Sequence, residues 1–380
     1  MLTKKTVACI NKTIWIELIK KVGLRNYSSA TSKAGIDDLL RYLRSAYTNE
    51  NSDVLNNLDD LIFKQMAFEQ PNTYKIEKIN VSGNITPEVF NQLEDTLNIN
   101  RSFYDETLTA MIKVISSRLV IIDNTVSRII MLVKVGETND KTMFGVQNVI
   151  FNVTIDFDKK LISTGYHKGS FEKYYNESFA ETYEKMIHWL SVNVLANLNV
   201  TLSEFNEEAL KTTLYKMFHE LTAPIENKLE LALPPNVDGL IQNFFDDVGI
   251  QLKEKYQKQL YSILFQDYGD AESTEFQEGL YDDGWIFRFG FRDGDFTRAT
   301  SRTEDQSPVY TSPIYWNLKE LINEKTKLTD AGFVWVTDTG MIEAKIDVQN
   351  KAFIIYLYKT EHEWEEDRIE YIRRKIIQHL

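Results

Sequence analysis

The sequence predicts an α+β protein in which helices and strands fill largely separate stretches of the 380 residues. Apolar residues recur at intervals of three and four in residues 1–70 and 171–268, which is the spacing of amphipathic helices. Runs of β-branched and aromatic residues between turn residues fill much of residues 71–170 and 269–380, which is typical of strands. We therefore expect an N-terminal helical module (1–70), a mixed segment with an antiparallel β-meander (71–170), a central three-helix layer (171–268), and C-terminal β-hairpins followed by a terminal helix (269–380).

The N-terminal segment contains three short helical patterns. The apolar residues of the first pattern are Ile14, Trp15, Leu18, Ile19 and Val22. The second and third patterns cover residues 36–43 and 54–62. Three short helices at a terminus occur in helix-turn-helix proteins, so one functional hypothesis is a DNA-binding regulator. The alternative is a small helical module that serves packing alone.

Residues 71–170 change from helical to strand patterns. Residues 74–81 fit a strand, Pro87 opens a helical stretch to residue 97, and residues 103–115 also fit a helix. The strands expected after them are 119–122, 129–135, 146–155 and 161–164, with turns at 123–124, 138–140 and 156–160. Strands joined by such short turns predict an antiparallel meander.

Residues 171–268 carry the clearest helical periodicity. The apolar residues of 179–198 lie on one face of a long helix. A second helix covers 210–221 and is expected to end near Pro224, because proline removes a helical hydrogen bond. A third covers 240–264, with a bend expected at Gly249.

The C-terminal region is rich in strand patterns. In the strand predicted at 286–291, the three phenylalanines are expected on one face and Arg288 and Arg292 on the other. The remaining elements are three strands joined by tight turns and a charged terminal helix: 333–336, 341–348, 353–358 and 365–380.

Charge and cysteine content limit the classes of function. The formal net charge of −13 disfavours a protein that coats nucleic acid, because phosphate binding requires a positive surface. The single cysteine, Cys9, cannot form an internal disulfide or a thiolate zinc cluster, which is typical of intracellular proteins. The apolar run at residues 7–10 is too short for a signal peptide, and no run approaches the roughly 18 apolar residues of a membrane span. We expect a cytoplasmic protein, or a virion component, with no membrane contact and no cofactor.

One catalytic candidate is the sequence Glu343-Ala344-Lys345. An acidic residue, a spacer and a lysine on a strand, preceded by an aspartate at another strand end, resemble the metal-binding pattern of the restriction-type nuclease superfamily, and Asp338 would be that aspartate. The resemblance implies that the carboxylates hold Mg²⁺ and that Lys345 positions or activates the attacking water. The gap between Asp338 and Glu343 is tighter than in that pattern. The alternative is that Glu343, Lys345 and Asp347 form the solvent-exposed face of a strand.

Two weaker patterns also resemble nuclease motifs. Arg374 and His379 resemble the motif of the HEPN ribonucleases, in which histidine transfers a proton and arginine binds phosphate. The alternative is that the basic residues complement the dipole of a terminal helix. Residues 292–295, Arg-Asp-Gly-Asp, resemble the Asp-x-Asp of Toprim nucleases, but an Asp-Gly-Asp sequence is also typical of a turn. The sequence contains no phosphate-binding glycine loop, no paired-histidine zinc motif and no nucleophile elbow.

The most distinctive stretch changes from acidic to arginine-rich. Residues 266–284 contain seven acids and no Lys, Arg or His, whereas residues 288–302 contain four arginines and no lysine. Such a segment can be a solvated loop, a contact for phosphate or single-stranded nucleic acid, or a surface that binds a protein. The adjacent acids favour self-association or a charged protein partner over nucleic acid. The residues assigned to a partner-binding surface are Trp285, Arg288, Arg292, Arg298 and Arg302.

The function favoured by these observations is a non-enzymatic assembly or adaptor subunit of a multi-protein complex. Asn, Ile, Lys and Tyr are frequent, which indicates an AT-rich bacterial or phage genome, so the expected complex is a defence system or a virion. The first alternative is a Mg²⁺-dependent nuclease that uses Asp338, Glu343 and Lys345. The second is a DNA-binding regulator that acts through residues 1–70.

Overall fold

The computed structural model describes residues 3–24, 35–100, 102–103, 110–139, 145–270, 281–293, 297–303, 306–358 and 365–380. Within these residues the fold is α+β, which confirms the predicted fold class. The chain divides into two compact units. The N-terminal unit is Met1–Glu204 with Trp364–Glu366, and the C-terminal unit is Phe205–Glu363 with Asp367–Leu380.

The helices and strands of the described residues are numbered along the chain. The α-helices are α1 (Lys4–Val7), α2 (Lys12–Lys21), α3 (Ile36–Asn49), α4 (Ser52–Lys64), α5 (Glu94–Leu97), α6 (Lys168–Tyr174), α7 (Phe179–Leu190), α8 (Glu207–Ala232), α9 (Val237–Asp247), α10 (Glu254–Asp270), α11 (Pro313–Lys325) and α12 (Glu365–His379). Short π- or 3₁₀-helical turns are Gln65–Glu69, Pro87–Leu93, Ser191–Leu195, Ala196–Leu198 and Val309–Thr311. The strands are β1 (Thr73–Val81), β2 (Lys113–Ile122), β3 (Thr125–Glu137), β4 (Asn148–Asp156), β5 (Leu161–Tyr166), β6 (Val200–Ser203), β7 (Gly284–Asp293), β8 (Thr297–Arg302), β9 (Asp330–Thr337), β10 (Gly340–Gln349) and β11 (Ala352–Leu357).

The N-terminal unit is built on an antiparallel meander. Its strands pair in the order β2-β3-β4-β5-β1-β6. Asp123 and Asn124 form the β2–β3 turn with φ of 49° and 60°, the left-handed values that a two-residue hairpin turn of this type requires. Tyr166 of β5 stacks on Phe179 of α7 with 4.3 Å between ring centroids, so α7 packs on the meander. The predicted meander and its turn at 123–124 are confirmed.

One element of the N-terminal unit contradicts the sequence prediction. Residues 103–115 fit a helical pattern, but Lys113–Ile122 is strand β2, and Val114 pairs with Val133 of β3. The β-branched Val114 and Ile115 are buried in this edge strand, which pairs with β3, and this tertiary context outweighs the helical spacing. Residues 104–109 of the predicted helix lie outside the described residues.

In the C-terminal unit, helices cover one face of the strands. The strands pair antiparallel in the order β11-β10-β9-β7-β8. Phe289 of β7 contacts Phe218 of α8 and Tyr315 of α11, with ring centroids 6.0 and 6.1 Å apart. Trp335 of β9 contacts Tyr371 of α12, with centroids 5.8 Å apart. Because these aromatic side chains are large and apolar, their burial under the helices forms the core of this unit.

Helices α8, α9 and α10 differ from the second and third helices predicted for residues 171–268. Helix α8 continues through Pro224, and Ile225 and Leu229 beyond the proline are buried. Their burial offsets the hydrogen bond that proline removes. The residues from 240 to 264 form two helices rather than one bent helix, because Gly249 adopts a left-handed φ of 69° between them.

A β-bulge in β7 changes which side chains share a face. The register with β9 shifts between Ile286 and Arg288. A Cβ atom at Gly332 would lie 2.5 Å from the Phe287 ring, so that ring lies over Gly332 on the same side as Arg288. The prediction that the phenylalanines face away from the arginines is correct for Phe289 and Phe291 and wrong for Phe287.

Candidate functional site

The face of the C-terminal unit opposite to the helices carries most of the charged residues that the sequence singles out. One row of paired positions crosses all five strands: Arg302 of β8, Arg288 of β7, Gly332 of β9, Lys345 of β10 and Tyr356 of β11. Directly paired residues of antiparallel strands share a face, which we call the arginine face. The fold therefore brings a residue of the predicted partner-binding surface beside a residue of the predicted nuclease site.

A buried charge network lies at the centre of the arginine face. Arg288 Nε donates to Asp330 Oδ1 at 2.8 Å, and Lys345 Nζ donates to Asp347 Oδ2 at 2.8 Å. Asp330 and Asp347 are paired across β9 and β10, and both are buried. Gln349 donates a further hydrogen bond to Asp347 at 3.1 Å. Two partly exposed cations thus balance two buried carboxylates.

The surroundings of this network disfavour negative charge on two carboxyl groups. Burial raises the pKa of Asp347, Lys345 acts in the opposite direction, and the negative charge of Asp330 raises the pKa further. The Oδ1 atom of Asp347 is buried and has no hydrogen-bond partner among the described residues. Burial also raises the pKa of Glu343 against the opposing charge of Arg368. Such groups are frequent at functional sites, which makes this face a candidate.

The β7–β8 hairpin carries arginines in directly opposed pairs. Arg288 pairs with Arg302, and Arg292 pairs with Arg298, of which only the backbone is described. Like charges at opposed positions destabilise a sheet. Asp330 neutralises Arg288, but the exposed Arg292 and Arg302 make no hydrogen bond or ion pair within the described part of the chain. The β7–β8 hairpin therefore carries two exposed arginines at one end of the strand order.

Aromatic and apolar side chains also lie on the arginine face. Trp285 is half-buried, and its indole N–H donates to the Gln306 carbonyl oxygen at 2.7 Å, which fixes the ring. Met341 is exposed near the start of β10, on the same face. Lys345 Nζ lies 5.1 Å from the centroid of the Tyr356 ring. Trp, Tyr, Met and Arg are enriched at protein interfaces, whereas the Lys, Glu and Asp that also lie on this face are depleted there.

The three residues of the nuclease hypothesis do not come together. Glu343 and Lys345 lie half-buried on the arginine face. Asp338 is exposed in the turn before Gly340, so Glu343 lies three strand residues, about 10 Å, beyond the end of that turn. Among the described residues there is no group of three His, Cys, Asp or Glu side chains that could hold a metal ion. The nuclease stays a hypothesis, supported by Glu343 and Lys345 without Asp338.

Arg374 and His379 of α12 have separate partners. His379 Nε2 lies 2.9 Å from Glu220 Oε2 of α8, and Lys375 Nζ lies 2.5 Å from Oε1 of the same carboxylate. The Arg374 guanidinium instead lies 5.8 Å from the centroid of the Tyr371 ring. These contacts join α12 to α8 and favour a structural role for His379.

The DNA-binding hypothesis for residues 1–70 and the Toprim-like motif at 293–295 both stay predictions. The three helices predicted in residues 1–70 are present as α2, α3 and α4, but a DNA-binding role for them stays a prediction. Of the Asp-Gly-Asp at 293–295, residues 294 and 295 lie outside the described residues.

Sequence reasoning missed Asp330 and the edge strand of this face, and it placed Asp347 on a solvent-exposed strand face. Asp330 and Asp347 are both buried, so Asp347 is not part of an exposed strand face. Aspartate is depleted in strands, so an aspartate within a strand pattern is a signal that could have found both residues. Strand β8, which carries Arg298 and Arg302, has no apolar alternation and gave no strand signal.

Comparisons with known proteins assign no family. No protein-family model, no curated protein and no solved structure matches the chain. In the described ranges, no helix combines the length and the apolar character needed to cross a membrane. The chemistry of the arginine face is therefore the basis for a functional proposal.

Proposed function

We propose that this chain is an assembly or adaptor subunit that binds a protein partner through the arginine face. The observation that carries the proposal is the pair of exposed arginines, Arg292 and Arg302, which meet no acidic group among the described residues. Trp285 and Met341 offer apolar contact area on the same face. Interfaces combine such apolar anchors with charges that fix orientation and exclude wrong partners.

The charges of this face favour a partner with surface carboxylates. Arginine binds a carboxylate through two parallel N–H···O bonds. Nucleic acid is disfavoured because the chain carries a net charge of −13 and because the half-buried Glu343 on the same face repels phosphate. The composition of the sequence supports a bacterial or phage complex, such as a defence system or a virion.

Reversing the exposed charge tests the proposal. The variant Arg292→Glu/Arg302→Glu is compared with wild type and with Lys20→Glu/Lys64→Glu, which makes the same charge change at two exposed lysines of the N-terminal unit. Each tagged protein is purified from the cells that produce it, and its mass is measured by light scattering. We expect a stoichiometric complex for wild type and for the lysine variant, and a monomer for the arginine variant. A wild-type monomer without any stoichiometric partner would refute the proposal.

A Mg²⁺-dependent nuclease is the second candidate, because Glu343 and Lys345 share a face with cationic residues. Arg288 and Arg302 stand in the same cross-strand row as Lys345 and would meet a phosphate backbone bound there. Plasmid, single-stranded DNA and RNA are incubated with the protein in Mg²⁺ or in EDTA. Metal-dependent cleavage that is lost in Glu343→Ala would establish this function. No cleavage by wild type would remove it.

A further inference from the structure

Helix α9 presents an apolar stripe to solvent. Leu240, Phe244 and Val248 recur every four residues and are 59%, 56% and 49% exposed. Residues at this spacing lie on one side of a helix. Contiguous exposed apolar patches often mark sites of protein contact.

The opposite side of α9 is fixed to α10. Phe245 is buried and stacks on Tyr256 with 5.9 Å between ring centroids. Asp238 accepts a hydrogen bond from Gln257 at 2.8 Å and another from Tyr261. The helix is therefore held in place by one side, and the exposed stripe is a stable feature of the folded unit.

The charge of α9 limits what can cover the stripe. The segment Val237–Asp247 contains three aspartates and neither lysine nor arginine. Asp247 follows Phe244 by three positions and so flanks the stripe. An anionic membrane surface is disfavoured, because interfacial helices bind it through lysine and arginine. Symmetric pairing of α9 with α9 of another copy would place aspartates against aspartates, with no cation on either helix.

The arginine face has the complementary character. Arg292 and Arg302 are exposed cations on this face, and the half-buried Trp285, which pairs with Val334, lies two register positions from the row of Arg302. An acidic helix with an apolar stripe and a cationic face with apolar anchors satisfy each other's charge and hydrophobic contacts.

We propose that α9 of one copy binds the arginine face of a second copy, so that the chain assembles head to tail. This inference rests on the proposed function and names the partner as another copy of the same chain. Such a contact is heterologous, because the two copies contribute different surfaces. The copy that contributes its arginine face keeps α9 free, and the copy that contributes α9 keeps its arginine face free. Assembly continues until a ring closes, and otherwise it produces a filament.

Mixing of two defective variants tests this geometry. Leu240→Ser/Phe244→Ser removes the stripe at exposed positions, and Arg292→Glu/Arg302→Glu reverses the charge of the face. Sedimentation velocity is measured for wild type, for each variant alone, for their equimolar mixture and for the Lys20→Glu/Lys64→Glu control. Circular dichroism of each variant checks that it is folded. We expect concentration-dependent oligomers for wild type and control, and at least about 10-fold weaker association for each variant alone.

The equimolar mixture gives the decisive result. Head-to-tail contact predicts a one-to-one complex that grows no further, because the mixture retains one intact helix and one intact arginine face. If the stripe variant forms the same oligomers as wild type, the inference is overturned. If the arginine variant alone loses association in that case, the proposed function still stands. Wild type that stays monomeric overturns the inference, as does a mixture that does not associate. If the arginine variant forms the same oligomers as wild type, that result counts against both the inference and the proposed function.

Discussion

Asp347 of β10 lies directly opposite Asp330 of β9, and both carboxylates are buried. Each has its own cation at 2.8 Å: Lys345 for Asp347 and Arg288 for Asp330. Desolvation makes a buried ion pair a weak source of stability, and opposed like charges reduce it further. A charge network at this place therefore fits a surface on which charge serves binding more than folding.

Replacement of Asp347 by asparagine is expected to stabilise the protein at neutral pH. Burial and Asp330 raise the pKa of Asp347, so this group favours the folded state below its unfolded pKa and loses that contribution as pH rises through its folded pKa. The amide of the Asp347→Asn variant does not titrate and avoids the loss. We expect a gain of about 1 kcal/mol in the free energy of unfolding at pH 7, and almost none near pH 3. Urea unfolding at both pH values measures it, and an equal loss at both would contradict it.

Removal of Arg288 is expected to destabilise the protein strongly. Arg288→Ala leaves the buried Asp330 carboxylate without its guanidinium partner, which costs about 3 kcal/mol in the free energy of unfolding. Arg292→Ala is the matched control, and as an exposed arginine without an ion pair in the described residues it should change that free energy by less than about 0.5 kcal/mol. Addition of Asp330→Asn to Arg288→Ala should recover part of the loss. Equal effects of the two alanine variants in urea unfolding would show that the pair is unimportant.

Replacement of Glu220 by glutamine is expected to weaken the attachment of α12 to α8. Burial opposes ionisation of Glu220, but Lys375 and His379 outweigh it and lower the pKa of this carboxyl. A lowered pKa contributes stability above the unfolded pKa, and this contribution is lost as pH falls through the folded pKa. Glu220→Gln should therefore cost roughly 1 kcal/mol at pH 7 and progressively less below about pH 4. Thermal unfolding across this pH range tests it, and a pH-independent cost would argue against the ion pairs.

The bulge in β7 leaves no room for a side chain at Gly332. A Cβ at this position would lie 2.5 Å from the Phe287 ring and 3.0 Å from Arg288 Cβ, so Gly332→Ala should cost about 2 kcal/mol through overpacking. Gly239→Ala on α9 is the contrast, because a Cβ there meets nothing within 4 Å. It should stabilise the helix by about 0.5 kcal/mol or more. Similar melting temperatures for the two variants would disprove this reading of the bulge.

The elements that sequence predicts well are those governed by local chemistry. The β10–β11 turn is an example, because Asn350 and Lys351 both adopt positive φ and lie between the alternating apolar residues of β10 and the continuous apolar run of β11. The long helix α8 was cut short in the prediction, because buried contacts of Ile225 and Leu229 decide whether a helix tolerates Pro224, and the sequence does not show those contacts.

The arginine face could be predicted only in part. Alternation along β7 places Arg288 and Arg292 on one face, and alternation along β10 does the same for Glu343 and Lys345. Their common row depends on the pairing of β7 with β9, which are separated in the chain by β8 and α11. Sequence periodicity shows which side chains of a strand share a face, but it does not show which strands pair when they are far apart in the chain. The contact of Arg288 with Asp330 is therefore seen only in the folded structure.

Hydrogen–deuterium exchange of the purified complex tests the claim that the arginine face is a docking surface most directly. Wild type recovered with its partner or as an oligomer is compared with the monomeric Arg292→Glu/Arg302→Glu variant. The claim predicts slower exchange in peptides that cover Thr297–Arg302 of β8 and the first half of β10, because the bound partner excludes water there. Protection confined to the N-terminal unit, or no difference between the two samples, would contradict it.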